Sequence, residues 1–146
     1  MDVANVVETK ESSPSGSELH IERVQTLDSL QALLMECLPN NDVAQKYVMK
    51  HFNDPETLIL KYGRSCMIAS VLEHDFFGKI CVLVWVQNPD HYSPRTAQRI
   101  VEQWAEARGC EAIVSFLDEN GPWTKLKAYM RLTGLRPFRM VFHKKL

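Results

Sequence analysis

Residues 81–116 read CVLVWVQNPDHYSPRTAQRIVEQWAEARGCEAIVSF. The run ICVLVWV at 80–86 has no polar face. A strand of this kind is covered on both sides and lies in the middle of a sheet. NPDHYSP at 88–94 is a loop, because Asn-Pro and Ser-Pro both favour turns. From Ala97 the period changes. Ala97, Ile100, Val101, Trp104 and Ala105 recur at i, i+3, i+4, i+7 and i+8, while Arg99, Glu102, Gln103 and Glu106 fall on the other side. That is a helix with one buried stripe. Gly109 ends it, and CEAIVSFLD at 110–118 is another buried strand.

Working outward, residues 1 to about 18 are rich in Ser, Glu and small residues and read as a flexible tail. LHIERVQT, 19–26, reads as a first strand with imperfect alternation. In TLDSLQALLMECL a helix carries Leu27, Leu30, Leu34, Cys37 and Leu38 on one face, and Pro39 stops it. NDVAQKYVMKHF is a second helix, with Ala44, Tyr47, Val48 and His51 on one face and Asn41 or Asp42 as its cap. Three Ile/Val/Leu-dense strands follow at 56–63, 65–75 and 78–87, the last two joined by an HDFFG turn. After the central helix and strand, NGPWTKLKAYMRLTG is a helix with Pro122 at its start and Gly134 at its end. RPFRMVFHKKL closes as a strand. The order β-α-α-β-β-β-α-β-α-β predicts an α/β (α+β) fold, a mixed sheet with helices on both faces, as one domain over 19–146.

Composition narrows the function classes. The chain has 146 residues and a net charge of −1, which gives no global drive towards nucleic acid or anionic membrane. Its four cysteines form no CxxC pair, and each sits among apolar neighbours. That favours free thiols in a reducing, cytoplasmic setting. No stretch is long and apolar enough for a membrane span, and the first residues lack the pattern of a signal peptide. The five histidines are scattered, so no metal site is expected and no Ser-His-Asp or Cys-His arrangement is suggested.

The start of the central helix carries the most chemistry. Ser93 is a good N-cap and Pro94 suits the first helical position. Arg95 then puts a cation where the helix dipole disfavours one by roughly 0.3–1 kcal/mol. An anion bound there explains the placement, through paired hydrogen bonds to the guanidinium. The plainer explanation is a helix start with a solvated arginine.

The element order resembles that of the GCN5-related N-acetyltransferase (GNAT) superfamily, over about residues 19–146. Cys81–Phe116 is similar to that family's fourth strand, pyrophosphate loop, third helix and fifth strand. AYMRLTGLRPFRMVFHKKL is similar to its ending, a style shared by divergent members that include phage-encoded proteins. The resemblance implies a mostly antiparallel central sheet flanked by helices, acetyl-CoA as cofactor, and direct attack of an amine on the thioester. With Ile100 and Val101 set on the family's Leu-Leu pair, the signature Gln/Arg-x-x-Gly-x-Gly/Ala falls on Tyr92–Ala97. Ala97 matches the last position. Tyr92 stands where Gln or Arg is usual, Arg95 stands on the first glycine, and the preceding loop is one residue longer. The implied cofactor residues are Tyr92, Arg95, Thr96 and Ala97, with Val84, Trp85 and Val86 along the pantetheine arm; for Trp85, core packing is the competing role. The implied acid is Tyr129, which lies five rather than four residues before Gly134. Glu73, Asp118 and Glu119 are candidate bases. The amine acceptor, a small molecule or a protein, and the oligomeric state leave no signature.

A second reading stays open. Residues 120–146 carry Lys125, Lys127, Arg131, Arg136, Arg139, Lys144 and Lys145 with no acid, which leaves about −8 on the rest. A GNAT-like protein that has lost catalysis would use such a basic face for nucleic acid or an acidic protein partner.

Overall fold

Three antiparallel pairings and one parallel pairing build the main sheet of this protein, whose computed structural model describes residues 10–12, 18–76, 78–115, 130, 131 and 134. The chain divides into two units, 1–116 and 117–146. The first holds, in order, β1 (Lys10–Ser12), β2 (Glu18–His20), β3 (Glu22–Arg23), α1 (Leu27–Glu36), α2 (Asp42–His51), β4 (Thr57–Tyr62), β5 (Ser65–His74), β6 (Gly78–Gln87), α3 (Arg95–Ala107) and β7 (Ala112–Ser115). The sheet order is β3-β4-β5-β6-β7, with β6 and β7 parallel across α3. In the second unit, Met130 and Arg131 are helical, and the Gly134 N–H bonds the Met130 carbonyl at 2.8 Å with Gly134 at φ +75°. This is the helix end expected at that glycine.

The predicted first strand is broken. Its start, β2, pairs with β1, inside the stretch read as a tail; its end, β3, pairs with β4. Ile21, buried between them, is the joint. Helix α1 also differs from expectation. Thr26 and Ser29 form a reciprocal cap, with Thr26 Oγ1 accepting from the Ser29 N–H at 3.1 Å and Ser29 Oγ from the Thr26 N–H at 3.0 Å. With the helix started there, Leu27 lies in the first turn and is 74% exposed, while Leu33, absent from the predicted stripe, is fully buried. The stripe that packs is Leu30, Leu33 and Cys37. Helix α2 follows expectation: Asn41 caps it, accepting from the Ala44 N–H at 3.0 Å, and Ala44 and Val48 are buried.

One face of the sheet supplies Ile59, Cys66 and Ile68 to a core with Leu33, Leu38, Ala44 and Val48 from α1 and α2. The alternating residues Leu58, Leu60, Met67 and Ala69 face the other way and are equally buried. α3 meets β4 and β5, so its stripe covers that second face. Ala97, Ile100, Val101, Trp104 and Ala105 are all buried, as the spacing predicted. The helix ends in two bonds of a Schellman motif, Cys110 N–H to the Ala105 carbonyl and Gly109 N–H to the Glu106 carbonyl, both 3.0 Å, with Gly109 at φ +78°.

Trp104 anchors α3. It is 0% exposed, the Arg108 guanidinium sits 4.4 Å over its ring, and its buried Nε1–H has no acceptor among the described residues. Trp104→Ala should cost about 3–5 kcal/mol. Trp104→Phe should cost clearly less, because no indole hydrogen bond is lost. Urea unfolding of both variants checks this, and equal losses would contradict it.

Candidate functional site

β6 runs into α3 through the loop Asn88–Pro94, and Val84, Trp85, Val86, Tyr92, Arg95, Thr96 and Ala97 lie along this path. The first feature is a bulge. Ile68 on β5 stands opposite Trp85, and Ala69 stands opposite Leu83. Val84 is therefore an extra residue with no partner on β5, and it is 37% exposed. On the other edge of β6, pairing to β7 ends at Leu83 among the described residues. A bulge leaves the ladder locally open and re-aims the backbone, so β6 offers main-chain groups at Val84.

Its neighbours are placed differently. Trp85 packs against the α1–α2 core, with its Nε1 3.4 Å from the Gln87 Oε1. Val86, half-buried, stands opposite Met67. Gln87 Nε2 donates to the Cys37 carbonyl and, at 3.2 Å, to the Arg64 carbonyl, tying the end of α1 and the β4–β5 turn to β6.

The loop is fastened by Asn88. Its Oδ1 accepts from the Tyr92 N–H at 3.0 Å and from Ser65 Oγ at 2.9 Å, and its Nδ2 donates to the Tyr92 carbonyl at 2.7 Å. The ring so closed contains His91 at φ +55°, a left-handed conformation that costs roughly 1–2 kcal/mol outside glycine. Asp90 accepts two bonds from the Arg64 guanidinium, one of them Nε to Oδ2 at 3.2 Å. These bonds hold the Asp90 carboxyl below the usual carboxylate range. Arg64 thus neutralises an acid beside the helix start. The Tyr92 side chain turns back onto the β4–β5 turn, edge-on to Tyr62 at 6.4 Å between centroids.

At the helix start, Pro94 has φ −80° and ψ −2°, and its carbonyl accepts from the Gln98 N–H at 2.8 Å. Ser93 Oγ receives the Arg95 N–H at 3.4 Å. The helix begins at Arg95, one residue later than predicted, with Pro94 as the flanking residue. The Thr96 and Ala97 N–H groups have no partner among the described residues. Arg95 is exposed, Thr96 half-buried, and Ala97 fully buried. Unpaired first-turn N–H groups, the positive end of the dipole and an exposed guanidinium are the features with which a helix start can receive an anion.

The other candidates separate from this path. Glu73 pairs across the sheet with Lys79, at the far end of β5. Five residues of strand put it about 17 Å from Val84, too far to act there. Tyr129, Asp118 and Glu119 lie outside the described residues. His91 is exposed. Cys37, Cys66 and Cys81 are buried free thiols, and burial pushes Cys81 up to about 12, so it is no nucleophile at neutral pH. No group of three metal-binding side chains occurs among the described residues.

Sequence reading missed Asn88, Ser65 and Gln87. The Asn-Pro dipeptide marked a turn, but the cross-loop bonds join residues far apart in sequence and carry no local signal. It also missed Gln98, which is buried in the first turns of α3 with both amide atoms unpartnered among the described residues.

The Gly63 turn offers a direct check. Gly63 has φ +60°, and a Cβ there would lie 3.3 Å from the Tyr92 ring; Gly109 has φ +78° and open space. Gly109→Ala should cost about 1–2 kcal/mol from backbone strain alone. Gly63→Ala should cost more, and Tyr92→Ala should remove the excess. Chemical unfolding of the three variants and the Gly63–Tyr92 double variant reads this; an excess that survives Tyr92→Ala would refute the contact.

No family model matches the chain, and no curated protein sequence does. Solved structures do. The aminoglycoside acetyltransferase AAC(6')-Iy, solved with the bisubstrate analog CoA-S-monomethyl-acetylneamine, superposes with a TM-score of 0.67 at 13% identity, covering 89% of this chain and 99% of its own. The aminoglycoside 6'-N-acetyltransferase AAC(6')-IG of Acinetobacter haemolyticus gives 0.65 at 20% identity, covering 87% and 99%. Glucosamine-6-phosphate N-acetyltransferase of Arabidopsis thaliana gives 0.58 at 8%, covering 88% and 99%. With its meander of antiparallel strands, its parallel β6–α3–β7 unit and its bulged β6, this chain has the fold of the GCN5-related N-acetyltransferases.

Proposed function

We propose that this protein is an acyl-CoA-dependent N-acetyltransferase that moves an acetyl group from acetyl-CoA to an amine. One observation carries the reading: the bulge at Val84 and the free Thr96 and Ala97 amides lie on the two sides of one loop. An extended thioester with a diphosphate tail matches that pair of features. Arg95 and the Thr96 amide hold the diphosphate, and Ala97, small and buried, adds no bulk to the first turn. The open backbone at Val84, followed by Trp85 and Val86, takes the amide-rich arm. Tyr92 supports the loop from behind.

Acetyl-CoA supplies the activated carbonyl. The amine nitrogen bonds to that carbon, the carbon–sulfur bond breaks, and the thiolate leaves with a proton. Tyr129 is the proposed donor of that proton. The solved relatives named above act on aminoglycosides or a sugar phosphate. For this chain an amine acceptor is proposed at the level of its reactive group alone.

Pro94 favours a second reading, because it removes one N–H donor from the cradle. In that reading the chain binds nucleic acid or an acidic protein through the basic residues of 120–146, of which Arg131 is exposed.

Calorimetry with acetyl-CoA separates the two. Binding at about 1–50 µM, weakened about tenfold or more by Arg95→Glu, is expected from a charge-assisted contact worth 1.5–3 kcal/mol. Thiol release with a panel of amines should then fall in Tyr129→Phe, with affinity for acetyl-CoA unchanged. No heat at millimolar acetyl-CoA, together with salt-dependent nucleic-acid binding lost on neutralising Lys125, Lys127 and Arg131, would favour the second reading.

A further inference from the structure

Asn88 has no counterpart in the loop signature, yet it makes more side-chain bonds than any other residue of the loop. We propose that Asn88, held by Ser65, is a positioning residue that sets the anion-binding first turn of α3. The proposal rests on the acetyl-CoA reading of that turn.

α3 does not need Asn88 to stay in place. Its buried stripe, with Trp104 and Val101 fully enclosed, fixes the body of the helix on the sheet. What Asn88 fixes is the main chain entering it. Both backbone groups of Tyr92 bond the one side chain, and Ser93, Pro94 and Arg95 follow directly. The backbone settles which atom is which, since the Tyr92 N–H requires an oxygen and the Tyr92 carbonyl requires an N–H. Ser65 Oγ is then the donor to Oδ1, and the loop is tied to the first residue of β5. Aspartate would keep the two acceptor bonds, lose the donor, and set a negative charge near a bound phosphate. Asparagine does the same work without charge.

The neighbours agree with this function. His91 is held in a left-handed conformation that a free loop would relax. The Cys37 thiol lies 3.6 Å from both the Gly63 and the Ser65 carbonyls and shares its one proton between them, so the turn on which Asn88 leans is itself tied to the end of α1. Without the Asn88 bonds, Ser93–Thr96 lose their fixed entry, and the aligned donors of the first turn must be ordered by the ligand instead.

The test is binding of CoA to the full chain at low salt and at about 0.5 M salt, where exposed charge contacts are largely screened. Asn88→Ala should raise the Kd about tenfold at low salt, equivalent to one charge-assisted contact. The gap to wild type should narrow at high salt, because the lost contact is one to phosphate. Ser65→Ala, a smaller change, should move the Kd in the same direction by about threefold. An unchanged Kd in Asn88→Ala, or a loss of the same factor at both salts, would overturn the positioning role; the latter marks a merely structural defect. Failure of wild type to bind CoA would instead remove the acetyltransferase reading itself.

Discussion

The packing of the α3 stripe on the sheet is the interaction from which the rest of the site follows. Ala97, Ile100, Val101, Trp104 and Ala105 are buried along thirteen residues of helix. This burial fixes where the helix begins, and hence where its unpaired N–H groups stand. Because β6 and β7 are parallel neighbours joined by α3, the helix start must lie at the C-terminal end of β6. That is also where the strand opens at Val84. The two halves of the candidate site meet because one crossover connects them, and binding at the carboxyl ends of parallel strands is a common result of such crossovers.

Electrostatics around the loop are balanced locally. Arg95 opposes the helix dipole, Asp90 would repel an anion, and Arg64 cancels Asp90. The remaining field at the first turn is positive. A glycine-rich path would achieve the same approach with backbone alone. Here proline and arginine replace it, and the loop gains rigidity from Asn88 and from the Tyr92 ring on Gly63.

Most of the fold was legible because its signals are local. The α3 stripe recurs at helical spacing from Ala97 to Ala105, Gly109 is a left-handed stop, Asn41 is a cap, and β4 to β6 are dense in Ile, Val and Leu between turn signals. The misses share one cause. In LDSLQALLMECL, leucines occupy several faces, so only the cap at Thr26 and the sheet decide that Leu33 goes in and Leu27 stays out. In CVLVWV every residue is apolar, so no change of polarity marks the bulge at Val84. The roles of Tyr92 and Asn88 depend on the turn at Gly63–Ser65, more than twenty residues earlier. Trp85, apolar like its neighbours, lies on the core side because the α1–α2 cluster meets that face of β6.

Amide resonances during a CoA titration test the central claim most directly. The expected result is saturable shifts largest at Arg95, Thr96 and Val84, with exchange protection of the Thr96 amide as the phosphates engage it. Shifts absent at millimolar CoA, or confined to residues outside the β6–α3 path, would contradict it.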